Sequence, residues 1–253
     1  MLVILAEDAL QKARMKRHSK VYENATLASI ASEIAAGLSL TPQVNGLDMV
    51  FGTQVQMNES DLAFLRRLLC RVDADVQIVG RELHAAPRQS VNRGTVDLIL
   101  GDNLREARIT ADFAHQVDKT SAAGWDAGAG SAISVTGSDN AAGPGAGDKS
   151  SAMLTRSLGA RAEHTGHLAF FDRSEAEAVA NAARNRRARQ FLRITGTADG
   201  NPLLRVGTHA RVTGVGKWFS NTFHVTETRH RFDTSSGYRV EFVAECGFLG
   251  RAA

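Results

Sequence analysis

Two histidines near the middle of the chain have a spacing that metal sites use. His164 and His167 are separated by two residues, and Asp172 adds a carboxylate five positions later. Imidazole with carboxylate is a donor set of hydrolytic zinc sites, and such a pair faces one way on a helix. Thr165 and Gly166 disfavour a helix here, and the sequence shows no third cluster of ligands. We therefore predict a polar loop, and keep a metal-dependent hydrolase using His164 and His167 as an alternative.

A second set of titratable side chains lies in the last quarter of the chain. His224 and His230 stand six residues apart in a strand-like segment, with Glu227 between them. Regular alternation along a strand would point both histidines to the same face. Because no nucleophile signature of Ser or Cys accompanies them, a structural pair is favoured over a catalytic dyad.

Two glycine-rich segments could in principle hold a phosphate group. They cover residues 143–147 and 214–216. Neither lies between a strand and a helix, and neither is followed by the Gly-Lys-Ser/Thr of a phosphate-binding loop. Both are predicted to be plain loops.

Four arginines follow one another closely on a predicted helix that begins at Ser174. They are Arg184, Arg186, Arg187 and Arg189. A solvated helix face is the favoured interpretation, because few aromatic residues lie nearby to stack bases. The net charge of +3 is also mild for a dedicated nucleic-acid binder. We predict no specific nucleic-acid partner, and keep a basic surface for nucleic acid or an acidic partner as an alternative. No catalytic residue, metal ligand or cofactor is predicted.

The composition is that of an ordinary globular protein. The 253 residues are 43% hydrophobic and 23% charged, which allows one large or two small domains. No segment approaches the roughly 18 apolar residues that a membrane span needs, so none is predicted. The start lacks a basic region and reaches Glu7 and Asp8 after a few apolar residues, so no signal peptide is expected.

Residues 21–90 have the pattern of a small α+β domain with two helices and a hairpin. Thr26 is a candidate N-cap for the first helix, and Asn58 for the second. Their apolar stripes recur at helical spacing. The stripes contain Leu27, Ile30, Ala31, Ile34, Ala35 and Leu38, and then Leu62, Leu65, Leu69 and Val72. Two strand-like runs flanking Gly80 and Arg81 predict the hairpin.

Residues 91–253 are predicted to form a β-barrel domain with two interruptions. Strands at 95–100 and 104–110 flank turn residues and predict a second hairpin. Residues 121–150 are expected to form a Gly/Ala/Ser-rich loop with Trp125 as its only large anchor, mobile from residue 138. A helical insertion follows at 174–190, where Ser174 and Glu177 form a capping box. Short, evenly spaced strands complete the domain, so the predicted fold class is α+β, mainly β.

Three stretches, in order, resemble one known family. The first is Val21 to Asn24 with the helix that ends in Thr41-Pro42, and the second is Gln54 to Arg67, with Asn-Glu-Ser-Asp before Phe64-Leu65. The third contains closing strands. It comprises Leu204–Gly207, Val212–Gly216, Trp218–Ser220, Phe223–Thr226, Arg229–Phe232 and Gly237-Tyr238, with Gly124-Trp125-Asp126 upstream. Together they resemble the late-control protein D family of phage tail baseplate hubs, which includes the hub part of VgrG proteins and of contractile injection systems.

This resemblance implies a structural protein and not an enzyme. Family hubs form rings of three subunits with two similar β-barrels each, and join the central spike to the tail tube. Residues 1–20 would then supply the terminal strand (residues 2–6) of an incomplete first barrel and a basic linker. The resemblance implies a homotrimer, or assembly with another chain that supplies the first barrel, and spike and tube proteins as partners. The chain would be made in the bacterial cytoplasm and end in a virion baseplate or an injection particle.

Overall fold

The computed structural model describes residues 4, 6–126, 128–138, 142–166, 170 and 172–250. Strands outnumber helices in this part of the chain, so the predicted class of α+β, mainly β, is confirmed. The chain divides into two compact units. The first unit contains residues 1–90, 122–135 and 166–182, and the second contains residues 91–121, 136–165 and 183–253. The domain boundaries predicted after residues 20 and 90 stay predictions.

The first unit is built from helices and short strands. Its first 90 residues contain α1 (Leu10–Met15), β1 (Arg17–Tyr22), α2 (Leu27–Gly37), β2 (Thr41–Val44), β3 (Gln54–Ser60), α3 (Asp61–Arg71), β4 (Ala74–Val79), β5 (Glu82–Pro87) and a short 3-10 turn (Arg88–Ser90). Strands β2, β5 and β4 form one sheet in that order, and β1 pairs with β3. The hairpin predicted around Gly80 is confirmed, since β4 and β5 pair from Val79–Glu82 outward.

The helices α2 and α3 begin where side chains can accept free backbone N–H groups. Thr26 Oγ1 accepts the N–H of Ser29 at 3.0 Å, so the predicted cap of α2 is confirmed. The predicted cap of α3 is wrong, because Ser60 Oγ accepts the N–H of Ala63 at 3.3 Å and Asn58 lies within β3. Most residues of the two apolar stripes are buried in one core with Phe51 and Leu83, and Leu38 and Val72 pack against it partly buried.

The segment predicted to be a basic linker contains regular structure. Helix α1 and strand β1 occupy most of residues 10–22. Residues 1–3 and 5, which hold most of the strand predicted at 2–6, lie outside the described residues.

The second unit contains most of the strands. Its elements, and those that run across the unit boundary, are β6 (Thr95–Ile99), β7 (Leu104–Ala111), β8 (Lys119–Asp126), β9 (Ser131–Gly137), β10 (Asp148–Lys149), α4 (Ser150–Leu158), β11 (Ala162–Thr165), α5 (Arg173–Arg189), β12 (Leu192–Asp199), β13 (His209–Thr213), β14 (Asn221–Asp233), β15 (Gly237–Cys246) and β16 (Phe248–Leu249). Six strands form one sheet in the order β6-β13-β14-β15-β12-β7, and β11-β8-β9 and β10-β16 form two smaller sheets.

The six-stranded sheet curls so that its two outermost strands meet at one end. Strands β6 and β7 stand at opposite ends of the sheet order, yet only residues 100–103 connect them, and Leu100 bridges to Leu104. The hairpin predicted here is therefore wrong. Strand β6 pairs parallel with β13, and β7 pairs antiparallel with β12, so β6 and β7 form no ladder with each other. Asn103 holds the turn, because its side chain accepts from Ile99 N at 2.7 Å and donates to Asp97 O at 2.9 Å.

The curled sheet buries one apolar face. This core includes Leu98, Leu104, Phe191, Leu192, Ile194, Ala198, Phe223, Val225, Val240, Phe242, Ala244 and Cys246. Gly196 stands opposite Phe242 in the ladder, and a Cβ at Gly196 would lie 3.0 Å from the Phe242 ring. The absent side chain thus leaves the space that the ring fills.

The loop predicted over residues 121–150 is wrong for most of its length. Strands β8 and β9 occupy much of it, and Trp125 is 62% exposed instead of anchoring the segment. Residues 142–149 pack closely, because the Asn221 side chain bonds both the N–H and the C=O of Ala146 at 3.0 and 2.9 Å. Gly147 has a positive φ and lies so near Leu249 O that a Cβ would be 1.9 Å from it. Residues 139–141 lie outside the described residues.

No helix in the described part of the chain combines the length and the apolar character needed to cross a membrane.

Candidate functional site

The predicted metal ligands do not come together where the structure describes them. His164 lies exposed on β11, with Nδ1 3.0 Å from Ser121 Oγ, and His167 lies outside the described residues. Asp172 Oδ1 accepts the N–H of Glu175 at 2.8 Å, so Asp172 caps α5 in place of the predicted Ser174. Over the described ranges, no three His, Cys, Asp or Glu side chains are grouped so that they could hold a metal ion.

The histidines of β14 point to opposite faces of the sheet, so the prediction of a shared face is wrong. The register of β14 against β15 shifts by one residue between Val225 and Glu227. Such a β-bulge reverses the alternation of side chains beyond it. His224 is buried, with its ring 5.7 Å from that of His209, whereas His230 is exposed and its Nδ1 lies 2.8 Å from Tyr238 Oη.

The arginines of α5 do not form the solvated face predicted for them. Arg184 and Arg189 are each only 2% exposed. Arg184 donates to the carbonyl of Val117, and Arg189 Nε donates to Glu245 Oε1 at 3.2 Å. Arg187 forms a two-pronged ion pair with Glu163. A guanidinium can be buried when its donors meet carbonyl and carboxylate oxygens, and these arginines fasten α5 to its surroundings within the second unit.

The structure instead brings charged residues together on the outer face of four neighbouring strands. The outer face is the side of β14, β15, β12 and β7 that lies opposite the apolar core. An open groove of about 580 Å³ crosses it. The groove is lined by Glu106, Ala107, Arg108, Thr195, Gly196, Thr197, Glu227, Thr228, Arg229, Glu241, Phe242 and Val243.

The outward side chains of this groove form two rows across the strands. Ladder pairing places Arg229 beside Glu241, Glu241 beside Thr197, and Thr197 beside Glu106. We call this the first row; Arg229 and Glu241 also approach to 3.6 Å as an ion pair. Directly opposite residues on adjacent strands share a face and interact.

The second row lies next to the first and has the opposite polarity. It consists of Glu227, Val243, Thr195 and Arg108 in ladder order. The first row therefore starts with a cation on β14 and ends with an anion on β7, whereas the second starts with an anion and ends with a cation. Charged and hydroxyl side chains on an open groove suit recognition of another surface, and do not converge on one point as a catalytic centre requires.

A further ion pair joins β7 to β12 at one end of the groove. Arg105 Nε and Nη2 donate to the two carboxylate oxygens of Asp199, each at 2.8 Å. The Arg105 guanidinium lowers the pKa of the Asp199 carboxyl below its usual range. Both side chains are exposed, so this pair orders the surface without adding much stability.

The two rows are only weakly indicated by the amino-acid sequence. Each row contains one residue from each of four strands between residues 104 and 246. These strands lie side by side in the sheet in an order that differs from their order along the chain. The available signal was the alternation of charge along single strands, as in Glu106 and Arg108 or Glu227 and Arg229. That pattern shows an outward face but not which strands adjoin.

Comparison with solved structures defines the class of fold. The chain is similar to the 43 kDa tail protein of prophage MuSo2 from Shewanella oneidensis, with a TM-score of 0.69 and 16% identity over 94% of this chain and 70% of that one. It is also similar to a tail protein from Neisseria meningitidis MC58, with a TM-score of 0.61 and 13% identity over 91% of this chain and 69% of that one.

A third similar structure comes from a secretion system. The E. coli c3393 protein, a component of the type VI secretion system with structural similarity to the T4 tail proteins gp27 and gp5, matches with a TM-score of 0.55 and 14% identity. The match covers 97% of this chain and 56% of that one. The chain thus has the fold of phage tail proteins.

A family model matches the sequence over most of its length. The chain belongs to the family described as the Alg8 N-terminal domain, whose model matches residues 1–234. Among curated proteins, no sequence matches this chain.

Proposed function

We propose that the chain is a structural baseplate hub protein of a phage tail or a related contractile injection system, and that it joins the central spike to the tail tube. The observation that carries this proposal is the fold, which aligns with the prophage tail protein at a TM-score of 0.69 over 94% of the chain. The three motif stretches that resemble late-control protein D hubs support the finer assignment.

The design of the second unit suits a load-bearing role. The curled sheet encloses a core in which most side chains are fully buried, and its outermost strands meet at the turn of residues 101–103. A sheet that curls on itself holds its shape because most backbone groups are paired within it. Such a body can carry a spike on one side and a tube on the other without changing shape.

We propose a structural and not a catalytic role. The side chains first considered for chemistry have structural contacts instead: Asp172 caps a helix, His224 packs against His209, and Arg189 pairs with Glu245.

The partners proposed are spike and tube proteins, with self-association as a trimer or assembly with a chain that supplies another barrel. The tail fold and the charged outer face support an assembly role, since charged rows can select partner and register. The final location proposed is the baseplate of a virion or injection particle.

Isolation of particles from the producing bacterium tests the proposal. The gene is deleted, then restored with an epitope tag, and particles are purified and imaged by electron microscopy. A hub protein should be present in purified particles at the baseplate end, and its deletion should leave tubes without spikes or no particles at all. Normal, complete particles from the deletion strain would overturn the proposal.

A further inference from the structure

Two strands of the outer face have open edges. Strand β7 ends the six-stranded sheet, and β14 loses its neighbour β13 beyond Val225, whose N–H donates to Thr208 O at 2.9 Å. From Glu227 to Asp233 the described residues place β15 on one side of β14 and no strand on the other. An open edge presents a row of backbone donors and acceptors to another chain.

The directions of the two edges allow them to pair with each other between copies. Each of the steps from β7 to β12, from β12 to β15 and from β15 to β14 is antiparallel. Strand β14 therefore runs opposite to β7. If a second copy continued the sheet, its β14 would lie antiparallel to β7 of the first copy.

The backbone groups restrict the register of such pairing. Asp112 N donates to Phe191 O on the β12 side, so alternation turns the backbone groups of Ala107 and Ile109 to the open edge of β7. On β14, the backbone N–H and C=O of Val225 point to the β13 side, and the bulge that follows shifts this backbone alternation by one residue. The backbone groups of Thr228 and His230 therefore point to the open edge of β14. Thr228 must then lie opposite an odd-numbered residue of β7, whose backbone groups also point to an open edge.

Charge selects one register among those allowed. With Thr228 opposite Ala107, Glu227 faces Arg108 and Arg229 faces Glu106, so both pairs are of opposite charge. A shift to Ile109 would place Arg229 against Arg108. A shift to Arg105 would place Glu227 against Glu106. Like charges directly opposite on adjacent strands oppose pairing.

We propose that copies of this chain associate head to tail, with the open edge of β14 in one copy pairing with the open edge of β7 in the next, in the register that sets Glu227 beside Arg108 and Arg229 beside Glu106. Each row of the outer face then continues into the next copy, its cationic end meeting an anionic one. The contact is heterologous, and closes into a ring when the rotation per copy allows. This inference rests on the proposed function for its setting, and names the partner and contact of the outer face.

Charge reversal tests the register. Glu227→Arg alone and Arg108→Glu alone each create a like-charged pair, and each should weaken self-association at least about tenfold. The double variant restores opposite charges between copies and should recover most of the lost affinity. Within one copy the two residues are three strands apart, roughly 14 Å at the usual strand spacing, so recovery requires contact between copies. Sedimentation velocity over a concentration series measures the association.

A matched control and a second measurement guard against misfolding. Glu177→Arg reverses an exposed charge on α5 and should leave association unchanged, while circular dichroism checks that each variant is folded. Cys70 is exposed and is first replaced by Ser, whereas Cys246 is buried and is kept. In this Cys70→Ser background, Glu227→Cys with Arg108→Cys should form disulfide-linked oligomers on oxidation, because facing residues in this register come within disulfide distance.

The outcomes separate this inference from the proposed function. A wild-type chain that stays monomeric at the highest concentration tested, or a double variant no better than the single ones, overturns the edge pairing even if the protein is found at baseplates. If the wild-type chain associates strongly and the double variant recovers the lost affinity, the edge pairing is supported. If the same protein is then absent from purified particles, the hub role is rejected.

Discussion

The two faces of strands β14, β15, β12 and β7 are made from alternating residues of the same segments, yet they differ in almost every respect. The inward face carries Ile194, Val240, Phe242 and others at nearly zero exposure. The outward face carries hydroxyl and charged side chains in two rows of opposite polarity. The difference shows that stability resides in the inward set, which leaves the outward set available for contact with other molecules.

The largest expected effect comes from removing an inward ring. Phe242→Ala should lower the free energy of unfolding by about 3–5 kcal/mol, because it leaves a cavity beside Gly196 that the backbone cannot fill. Urea denaturation followed by circular dichroism measures the loss. Phe232→Ala is the control on the same hairpin, since Phe232 is 81% exposed. Equal losses in the two variants would contradict the contrast between faces.

A second substitution adds atoms to the inward face. Gly196→Ala places a Cβ 2.8 Å from Glu106 O and 3.0 Å from the Phe242 ring. The crowding should cost about 1–3 kcal/mol of unfolding free energy in the same assay. Gly37→Ala, whose Cβ would meet nothing within 4 Å, should be neutral or slightly stabilising. Unchanged stability in the Gly196 variant would show that the ring can move aside.

Acid should weaken the second unit through His209. Burial lowers the pKa of His209 from its usual 6.5, against a smaller opposing effect from a backbone hydrogen bond to Val91. Below pH 6.5 the unfolded chain therefore takes up the proton before the folded one does, and stability falls as pH falls. The urea midpoint should drop from pH 7.5 to about pH 5. His209→Gln should make that drop shallower; an identical drop would assign the acid sensitivity to other groups.

The smallest effect on stability is expected on the outward face. Glu227→Gln should change the unfolding free energy by no more than about 0.5 kcal/mol, because the side chain contributes to the surface and not to the core. A loss comparable to that of Phe242→Ala would mean that the outer face also supports the fold.

Local elements were predictable from sequence because their determinants are close along the chain. The N-cap Thr26, the apolar stripe of α2 and the hairpin at Gly80 each depend on residues within one or two turns of structure. The late-control protein D motifs indicated a tail protein, and the fold agrees with that coarser assignment.

The remaining features depend on partners distant in sequence. Burial of Arg184 requires a carbonyl 67 residues away, and burial of Arg189 requires a carboxylate 56 residues away. Strands β6 and β7 follow each other with a good turn between them, yet each pairs with a strand from the last quarter of the chain or near it. The candidate site could not be predicted for the same reason, since its rows exist only once the strand order is fixed.

The bulge between Val225 and Glu227 determines which side chains of the second half of β14 point to the outer face. Thr226 is the extra residue at the bulge, so deleting it would leave a regular strand in which Glu227 still pairs with Val243 and still points outward with Arg229. A strand that kept Thr226 but lost the bulge would instead slide by one residue against β15, which would turn Glu227 and Arg229 toward the interior and bring Thr228 and His230 to the outside. One unpaired residue therefore decides which half of the side chains that follow it is presented to solvent.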